Sequence, residues 1–334
     1  MHVSKMHETE ARVQRLLQCA RDLYACRAGL QAELVSSTGL SAQGVEAAWR
    51  YSFEQQVSDA ELAHFLASVR PASEVLVVLS AHVLTASLRA LALALAASSR
   101  VRVLPSRRDP VLARELVREW NGPELQLAAD WPRSFAQGAS VHAYGSDGSL
   151  RAIRARLPEH VELWGHGTGF AVAYVQSATL ESARALALDI ALFDQRGCMS
   201  PRVVWSAEPL AFGARLSEAM LGIGCEIPRG MLSSGEKSDH EGFRAAAEFV
   251  DACWIHEGGI VAVGAKPVLP PAGRMVHVVP LDASLPEAWR SYLTQVVCDG
   301  AAPSWMPAHA RLAKPGNAQS PPFDGPVDKR SVWL

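Results

Sequence analysis

The residues from Asp189 to Arg202 read D-I-A-L-F-D-Q-R-G-C-M-S-P-R, and they place one thiol where a thiol could react. An apolar, helix-compatible run from Ala183 to Phe193 ends in Asp194-Gln195-Arg196-Gly197. Cys198 follows, then Ser200-Pro201, then the strand-like Val203-Val204-Trp205. Gly197 permits close approach of the backbone to a ligand, and Pro201 stops a helix from running past the thiol. A cysteine on a tight turn between helix and strand, near main-chain N–H groups, has the setting of a nucleophile. The competing reading is a small apolar cysteine packed at a helix end. The polar, glycine-containing frame favours reactivity, with Asp194 and Gln195 as candidates to cap and brace the turn.

The other cysteines carry no such frame. The six (Cys19, Cys26, Cys198, Cys225, Cys253, Cys298) include no C-x-x-C pair, which argues against a zinc site and against a disulfide framework. Cys19 and Cys26 fall in a helical pattern and are expected to be inert; Cys225, Cys253 and Cys298 are expected to pack. Two glycine-containing turns could approach a ligand: Tyr144-Gly145-Ser146-Asp147-Gly148 and Gly165-His166-Gly167-Thr168-Gly169. Neither is a G-x-G-x-x-G or Walker fingerprint. His166 is equally suited to touching a ligand and to a structural role. The nine tryptophans pack by default, with lining of an acyl channel as the alternative.

The elements that must position these residues alternate. Glu8 to Glu33 has helical spacing, and Ser41 to Trp49, Asp59 to Ala67 and Val111 to Trp120 also read as helices. Glu74 to Ser80 reads as a buried strand, Leu84 to Ser98 as an Ala/Leu-rich helix buried on most sides, and Val101 to Leu104 as the next strand. Strands at Ser140 to Tyr144, Val161 to Trp164 and Phe170 to Val175 flank a helix at Ser149 to Leu157. Past the thiol, strands at Arg202 to Trp205, Gly259 to Val263 and Met275 to Pro280 accompany helices at Pro209 to Leu221, His240 to Val250 and Pro286 to Leu293. Met231 to Asp239 reads as a polar loop. Such alternation implies an α/β fold with parallel strands and covered faces, whose ligands sit beyond the carboxyl ends of the strands.

Composition narrows the function classes. The chain has 334 residues, 49% apolar and 20% charged, with a net charge of −2 and no Lys/Arg tract. No electrostatic argument supports a nucleic-acid or anionic-membrane partner. The longest apolar run, Leu88 to Ala97, is interrupted by Arg89 and falls short of the roughly 18 residues of a membrane span. Met1 to Lys5 has no apolar core behind it, so no signal peptide is expected and the cytoplasm is the expected compartment.

The order of motifs is more specific than any single one. A strand leads to Ser80-Ala81-His82, then a buried helix, Pro105-Ser106-Arg107-Arg108-Asp109-Pro110, Tyr144-Gly145-Ser146-Asp147, Gly165-His166-Gly167, and Asp194-Gln195-Arg196-Gly197-Cys198-Met199-Ser200-Pro201. This order resembles the aldehyde dehydrogenase superfamily, and more closely the LuxC-type acyl-CoA reductases that make long-chain aldehydes. The Asp-Gln-x-Gly-Cys-x-Ser-Pro string is the specific part. Tyr-Gly-Ser-Asp with Arg154 to Pro158, and Pro321-Pro322-Phe323-Asp324-Gly325, support it. The similarity covers roughly residues 35 to 325.

The resemblance implies a doubly wound parallel-sheet cofactor domain and a second α/β domain carrying the nucleophile. Residues 1–175 are expected to hold the N-terminal helices and the dinucleotide-binding domain, 176–300 the catalytic domain, and 301–334 an irregular tail. Cys198 falls on the nucleophile and His82 on the side-chain oxyanion donor, where the superfamily usually has asparagine. Ser80, Pro105, Ser106, Gly145, Ser146 and Gly165 fall on cofactor turns. Arg107 stands where NAD-preferring relatives often have glutamate, and with Arg108 it would attract a 2′-phosphate, so NADPH is the expected cofactor. Leu104 replaces a ribose-contacting lysine. Glu162 lies near the hydrolytic glutamate, but the alignment through Gly165 puts Leu163 or Trp164 there, which suits a reductase.

The chemistry so implied is attack of Cys198 on an acyl-CoA or other acyl-carrier donor, followed by reduction of the thioester to aldehyde. An acyl-donor protein partner and a homodimer are expected alongside, and no metal. Two alternatives stand. One is an oxidising aldehyde dehydrogenase or acyl-phosphate reductase of the same superfamily. The other is a non-catalytic relative that binds an acyl carrier or partner protein.

Overall fold

Two stretches of short, apolar, β-branched runs separated by helices build two parallel sheets, each in its own unit. The structure, a computed structural model, describes residues 2–81, 83–247 and 251–330. One unit comprises Met1–Thr38, Phe53–Thr168 and Pro322–Leu334; the other comprises Gly39–Ser52 and Gly169–Pro321. The first domain, expected to end at 175, ends earlier: the units part in sequence at Thr168–Gly169. Phe170–Val175 is therefore a strand of the second sheet. Among the described residues no helix is long and apolar enough to cross a membrane.

The first unit begins with α1 (His2–Ala25) and α2 (Gln31–Thr38); α3 (Ala42–Ser52) belongs to the second unit. Then follow α4 (Asp59–Ala67), β1 (Val75–Val78), α5 (Ala86–Ala97), β2 (Val101–Leu104), α6 (Val111–Trp120), β3 (Leu125–Leu127), β4 (Ser140–Tyr144), α7 (Asp147–Arg154) and β5 (Glu162–His166). The sheet order is β3-β2-β1-β4-β5, and every pair is parallel. The chain winds outward from β1, then returns to its other side with β4. That reversal creates a topological switch point between β1 and β4, the doubly wound arrangement expected.

Helix α5 is buried on nearly all sides, as its Ala/Leu composition requires. The one charge inside it, Arg89, is satisfied by carbonyls of the chain's own end. Its guanidinium donates to Pro322 O at 3.1 Å and Gly325 O at 2.6 Å, pairs with Glu54, and lies 4.3 Å over the Phe323 ring. Phe323 stacks on Phe65 at 4.5 Å and is 2% exposed. Gly325 sits at φ 135°, a conformation open only to glycine, which accounts for the Asp-Gly ending.

The second unit contains β6 (Phe170–Val175), α8 (Leu180–Ala191), β7 (Pro201–Ser206), α9 (Pro209–Glu226), α10 (Ser234–Ala247), β8 (Ala252–His256), β9 (Gly259–Val263), β10 (Met275–Pro280), β11 (Leu293–Cys298) and β12 (Arg311–Ala313). Its sheet runs β12-β11-β6-β7-β10-β9-β8, parallel except for β8 at one edge. Leu186, Ile190, Phe212 and Leu216 of α8 and α9 form one core with strand residues such as Val175, Val204 and Val278. A second core gathers Phe170, Val172, Val203, Trp205, Leu293 and Val296 with Trp289 and Trp305. Trp205 and Trp305 lie 5.3 Å apart there, so these tryptophans pack.

Several sequence expectations need correction. Pro286 to Leu293 is a 3-10 helix over Glu287–Tyr292 followed by β11, whose polar Thr294 and Gln295 break the apolar strand signature. The polar stretch Met231 to Asp239 starts α10. Ser233 and Glu236 exchange reciprocal hydrogen bonds at 2.7 and 3.2 Å, a capping box that polar composition hides. The end of the expected helix His240 to Val250, residues 248–250, lies outside the described residues. Cys26, expected within the first helix, lies just beyond α1, and Cys225, expected to pack, is exposed. The expected irregular tail includes β12, whose Arg311 is buried.

Candidate active site

Cys198 sits on the connection from α8 to β7, and the backbone just before it is strained. Phe193, Asp194 and Gln195 have φ of 55°, 49° and 63°, three consecutive non-glycine residues in the left-handed region. Each costs on the order of 1–3 kcal/mol and persists only where surrounding contacts impose it. Gly197 is not among the residues with positive φ, so the strain falls on the non-glycine residues before it.

Those contacts are explicit. Asp194 is 1% exposed and accepts from Arg274 Nε at 2.9 Å, Arg274 Nη2 at 2.8 Å and Gly230 N–H at 3.0 Å. Arg274, equally buried, also donates to Ile227 O at 2.8 Å. The Gln195 amide donates to the carbonyls of Pro201 and Met275, both at 2.8 Å, and accepts from Met275 N–H at 2.8 Å. Phe193 is fully buried. Asp194 and Gln195 therefore brace the turn.

From the far side, residues late in the sequence grip the next part of the turn. Thr294 Oγ1 lies 2.5 Å from Cys198 O and 3.1 Å from Phe170 O. Gln295 reaches towards Met199 O at 3.5 Å and donates to Ala318 O at 3.1 Å. Gln319 donates to Ser200 Oγ at 2.9 Å. The segment bearing Gln319 is anchored by Asp189 of α8, whose carboxylate accepts from Gly316 N–H at 2.7 Å and Ala318 N–H at 2.9 Å. Burial nevertheless pushes the Asp189 carboxyl up to about 7, against the lowering effect of those two bonds.

Register shifts mark two residues on the strands that meet the Cys198 turn. Pro201 and Val203 pair with consecutive β6 residues, Ala171 and Val172, so Arg202 is the extra residue of a bulge. Leu293 and Gln295 likewise pair with Phe170 and Ala171, making Thr294 the extra residue of another. Bulges re-aim side chains and are frequent next to active sites. Burial lowers the Arg202 pKa while the Cys198 sulfur, as a counter-charge, raises it. The buried Arg202 Nε meets no acceptor among the described residues. The only signal of Arg202 in the sequence is a cation four residues past the thiol.

The expected cofactor residues gather at the carboxyl end of the first sheet. Ser80 follows β1, Pro105 to Arg108 follow β2, Gly145 and Ser146 follow β4, and Gly165 lies late in β5. Arg107 and Arg108 are exposed, and their side chains meet no partner among the described residues. Ser146 caps α7, accepting from Ser149 N–H at 3.2 Å. A Cβ on Gly165 would lie 3.0 Å from Leu150 Cδ1, so this glycine lets α7 pack against β5. His166 stacks on Tyr144 at 4.7 Å, and burial lowers its pKa. Arg330, paired with Asp328, donates to Thr168 O at 2.6 Å and Gly167 O at 3.0 Å, fixing this turn. Glu162 is exposed at the opposite end of β5 and pairs with Arg70 at 3.5 Å. His82 lies outside the described residues.

Solved structures share this fold. An oxidoreductase from Marinobacter aquaeolei matches at a TM-score of 0.67 and 14% identity, covering 87% of this chain and 73% of that one. An NAD-dependent benzaldehyde dehydrogenase from Corynebacterium glutamicum gives 0.65 at 16% identity, over 87% and 75%. An NADP-dependent glyceraldehyde-3-phosphate dehydrogenase from Bacillus halodurans C-125 gives 0.64 at 10% identity, over 89% and 75%. No curated protein matches the chain in sequence. The acyl-CoA reductase (LuxC) family profile matches residues 64–283, most of both sheets and the whole Cys198 turn. With an aldehyde-dehydrogenase-like fold and that match, the chain belongs to the LuxC acyl-CoA reductase family, oxidoreductases acting on acyl and aldehyde groups.

Proposed function

We propose that this protein reduces an acyl thioester to an aldehyde through an acyl-enzyme on Cys198, with NADPH as the reductant. The observation that carries the reading is the Cys198 turn: three left-handed residues held by a buried ion pair are a cost without purpose unless the thiol must be placed.

The exposed Arg107 and Arg108, beside Ser106 on the turn after β2, fit a nucleotide bearing a 2′-phosphate. Ser80, Pro105, Ser106, Gly145, Ser146 and Gly165 are the proposed remainder of that site. The cofactor supplies hydride when bound. The chain's own part is nucleophilic. The Cys198 sulfur attacks the thioester carbonyl, the carrier thiol departs, and an acyl group remains on sulfur. The Arg202 cation favours the thiolate. His82 is the proposed side-chain donor to the oxyanion. Glu162 is paired with Arg70, and the alignment puts Leu163 or Trp164 where relatives carry the hydrolytic glutamate, which favours reduction over hydrolysis. A cytoplasmic homodimer working on acyl-CoA or an acyl carrier, supplied by an acyl-donor protein, completes the reading.

A second reading, an acyl-phosphate reductase, is favoured by the unpartnered Arg202 Nε, which could meet a phosphate. The test is NADPH oxidation with acyl-CoA and acyl-phosphate donors, with aldehyde trapped as a hydrazone. Aldehyde from acyl-CoA, abolished by Cys198→Ala, is expected. Turnover only with acyl phosphates would select the second reading, and none with either would refute both.

A further inference from the structure

The last described stretch of the chain returns to the first sheet. Arg89 of α5 holds the carbonyls of Pro322 and Gly325, and Phe323 stacks on Phe65, so the tail is anchored before it reaches Asp328 and Arg330. Those two belong to the same unit as the turn that follows β5, and Arg330 bonds to it. Burial raises the pKa of Tyr144 and lowers that of His166, the last residues of β4 and β5; the nearby Asp328 charge raises both.

The Arg330 guanidinium faces two ways. Its Nε and Nη2 meet the Asp328 carboxylate at 2.9 and 2.6 Å, while Nη1 donates to Thr168 O at 2.6 Å and Nη2 to Gly167 O at 3.0 Å. Asp328 therefore sets the plane of the guanidinium, and the guanidinium draws two consecutive carbonyls together. Both side chains are nearly buried, at 11% and 8% exposure. A buried ion pair adds little net stability, because desolvation opposes its attraction, so what this pair supplies is direction. That direction passes to the turn after β4. Thr168 N–H donates to Asp147 Oδ1 at 2.8 Å, and Gly145 N–H donates to His166 O at 3.1 Å. Asp147 Oδ1 packs so closely on Gly167 that a Cβ there has no room.

A dinucleotide spans the switch point of a doubly wound sheet, one half on each side. On the reading above, Arg107 and Arg108 after β2 take the half that bears the 2′-phosphate. β4 and β5 lie across the switch point from β2, so their turns face the nicotinamide half. We propose that Arg330, aimed by Asp328, is a positioning residue for the nicotinamide half of the cofactor, because it fixes the two turns on which that half rests. The inference rests on the NADPH reading of this site.

Because one half of the cofactor is concerned, a ligand that lacks that half supplies the test. NADPH and adenosine 2′,5′-bisphosphate, which carries the 2′-phosphate half alone, would be titrated by calorimetry into the full-length protein. Arg330→Ala is expected to weaken NADPH about tenfold, the order of one charge-assisted hydrogen bond, and to leave the bisphosphate within about twofold. Arg107→Glu with Arg108→Glu should weaken both ligands. Lys329→Ala, at an exposed neighbour paired with Asp324, should change neither. Deuterium uptake over residues 140–170 should rise in Arg330→Ala without any cofactor present. If Arg330→Ala does not fold, Arg330→Lys carries the test: it keeps the charge, lacks the fork that grips both carbonyls, and should show the same selective loss. Unchanged NADPH affinity, unchanged uptake, or equal loss for the two ligands would overturn the assignment. A wild type that binds neither ligand would instead remove the NADPH reading, and this assignment with it.

Discussion

The turn carrying Cys198 holds left-handed non-glycine residues, a buried Asp194–Arg274 pair and side-chain grips from Gln195, Thr294 and Gln319. The turns of the first sheet are made otherwise. Ser146 is an ordinary N-cap, Gly165 a packing glycine, and Arg107 and Arg108 extend into solvent. On the proposed reading Cys198 must stay in one place through a reaction, and tertiary contacts offset the strain of its turn. On the same reading the first sheet's turns receive a dinucleotide from solution, which asks for local order and exposed charge. The two regions therefore respond to mutation differently, one through stability and the other through binding.

The largest expected effect is Arg274→Met, which removes the close partner of the buried Asp194 carboxylate and leaves it only Arg196 at 3.9 Å and the Gly230 N–H. It should cost about 3–5 kcal/mol, read by equilibrium denaturation. An effect below about 1 kcal/mol would mean the strain needs no such support. Next is Arg107→Glu with Arg108→Glu. Losing charge-assisted bonds of about 1.5–3 kcal/mol each should raise KM for NADPH at least about tenfold, with KM for NADH and stability unchanged. Equal changes for both cofactors would sever these arginines from the 2′-phosphate.

Two buried groups give pH dependences of opposite sign. Asp189, at about 7 in the folded protein, binds a proton over a range where the unfolded chain has lost it, so its contribution to stability falls as pH rises from about 4 to 7. The slope is at most about 1.4 kcal/mol per pH unit, and Asp189→Asn should remove it. In the first unit, burial pushes His142 down to about 3, so stability is lost there as pH falls below 6.5. Urea midpoints across pH for Asp189→Asn and His142→Gln should shift in opposite directions. The smallest effect is Ser146→Ala, about 1 kcal/mol from a lost cap. A larger loss would show that the first unit's turns are braced as heavily as the nucleophile's.

Local signals in the sequence carried most of the fold. β2, β4, β6, β9 and β10 and helices α4 and α6 stand where apolar runs and periodicity placed them, because those elements bury one pattern against one core. What was hidden serves the site. β11 was masked by Thr294 and Gln295, polar because they face the Cys198 turn rather than because they lie in a loop. The strain at Phe193 to Gln195 has no glycine to announce it, since Arg274 arrives from 80 residues away. The place of Cys198 between a helix and a strand was legible from its frame. Its supports were not, because they come from strands and loops that only tertiary structure brings to it.

The central claim is that the braced turn presents Cys198 for acyl transfer to NADPH-dependent reduction. It is tested most directly by intact mass after incubation with acyl-CoA thioesters without cofactor, for wild type and Cys198→Ala, with NADPH added afterwards. The account predicts an acyl adduct that requires Cys198 and is discharged as aldehyde. Discharge as free acid, or no adduct from any donor, would contradict it.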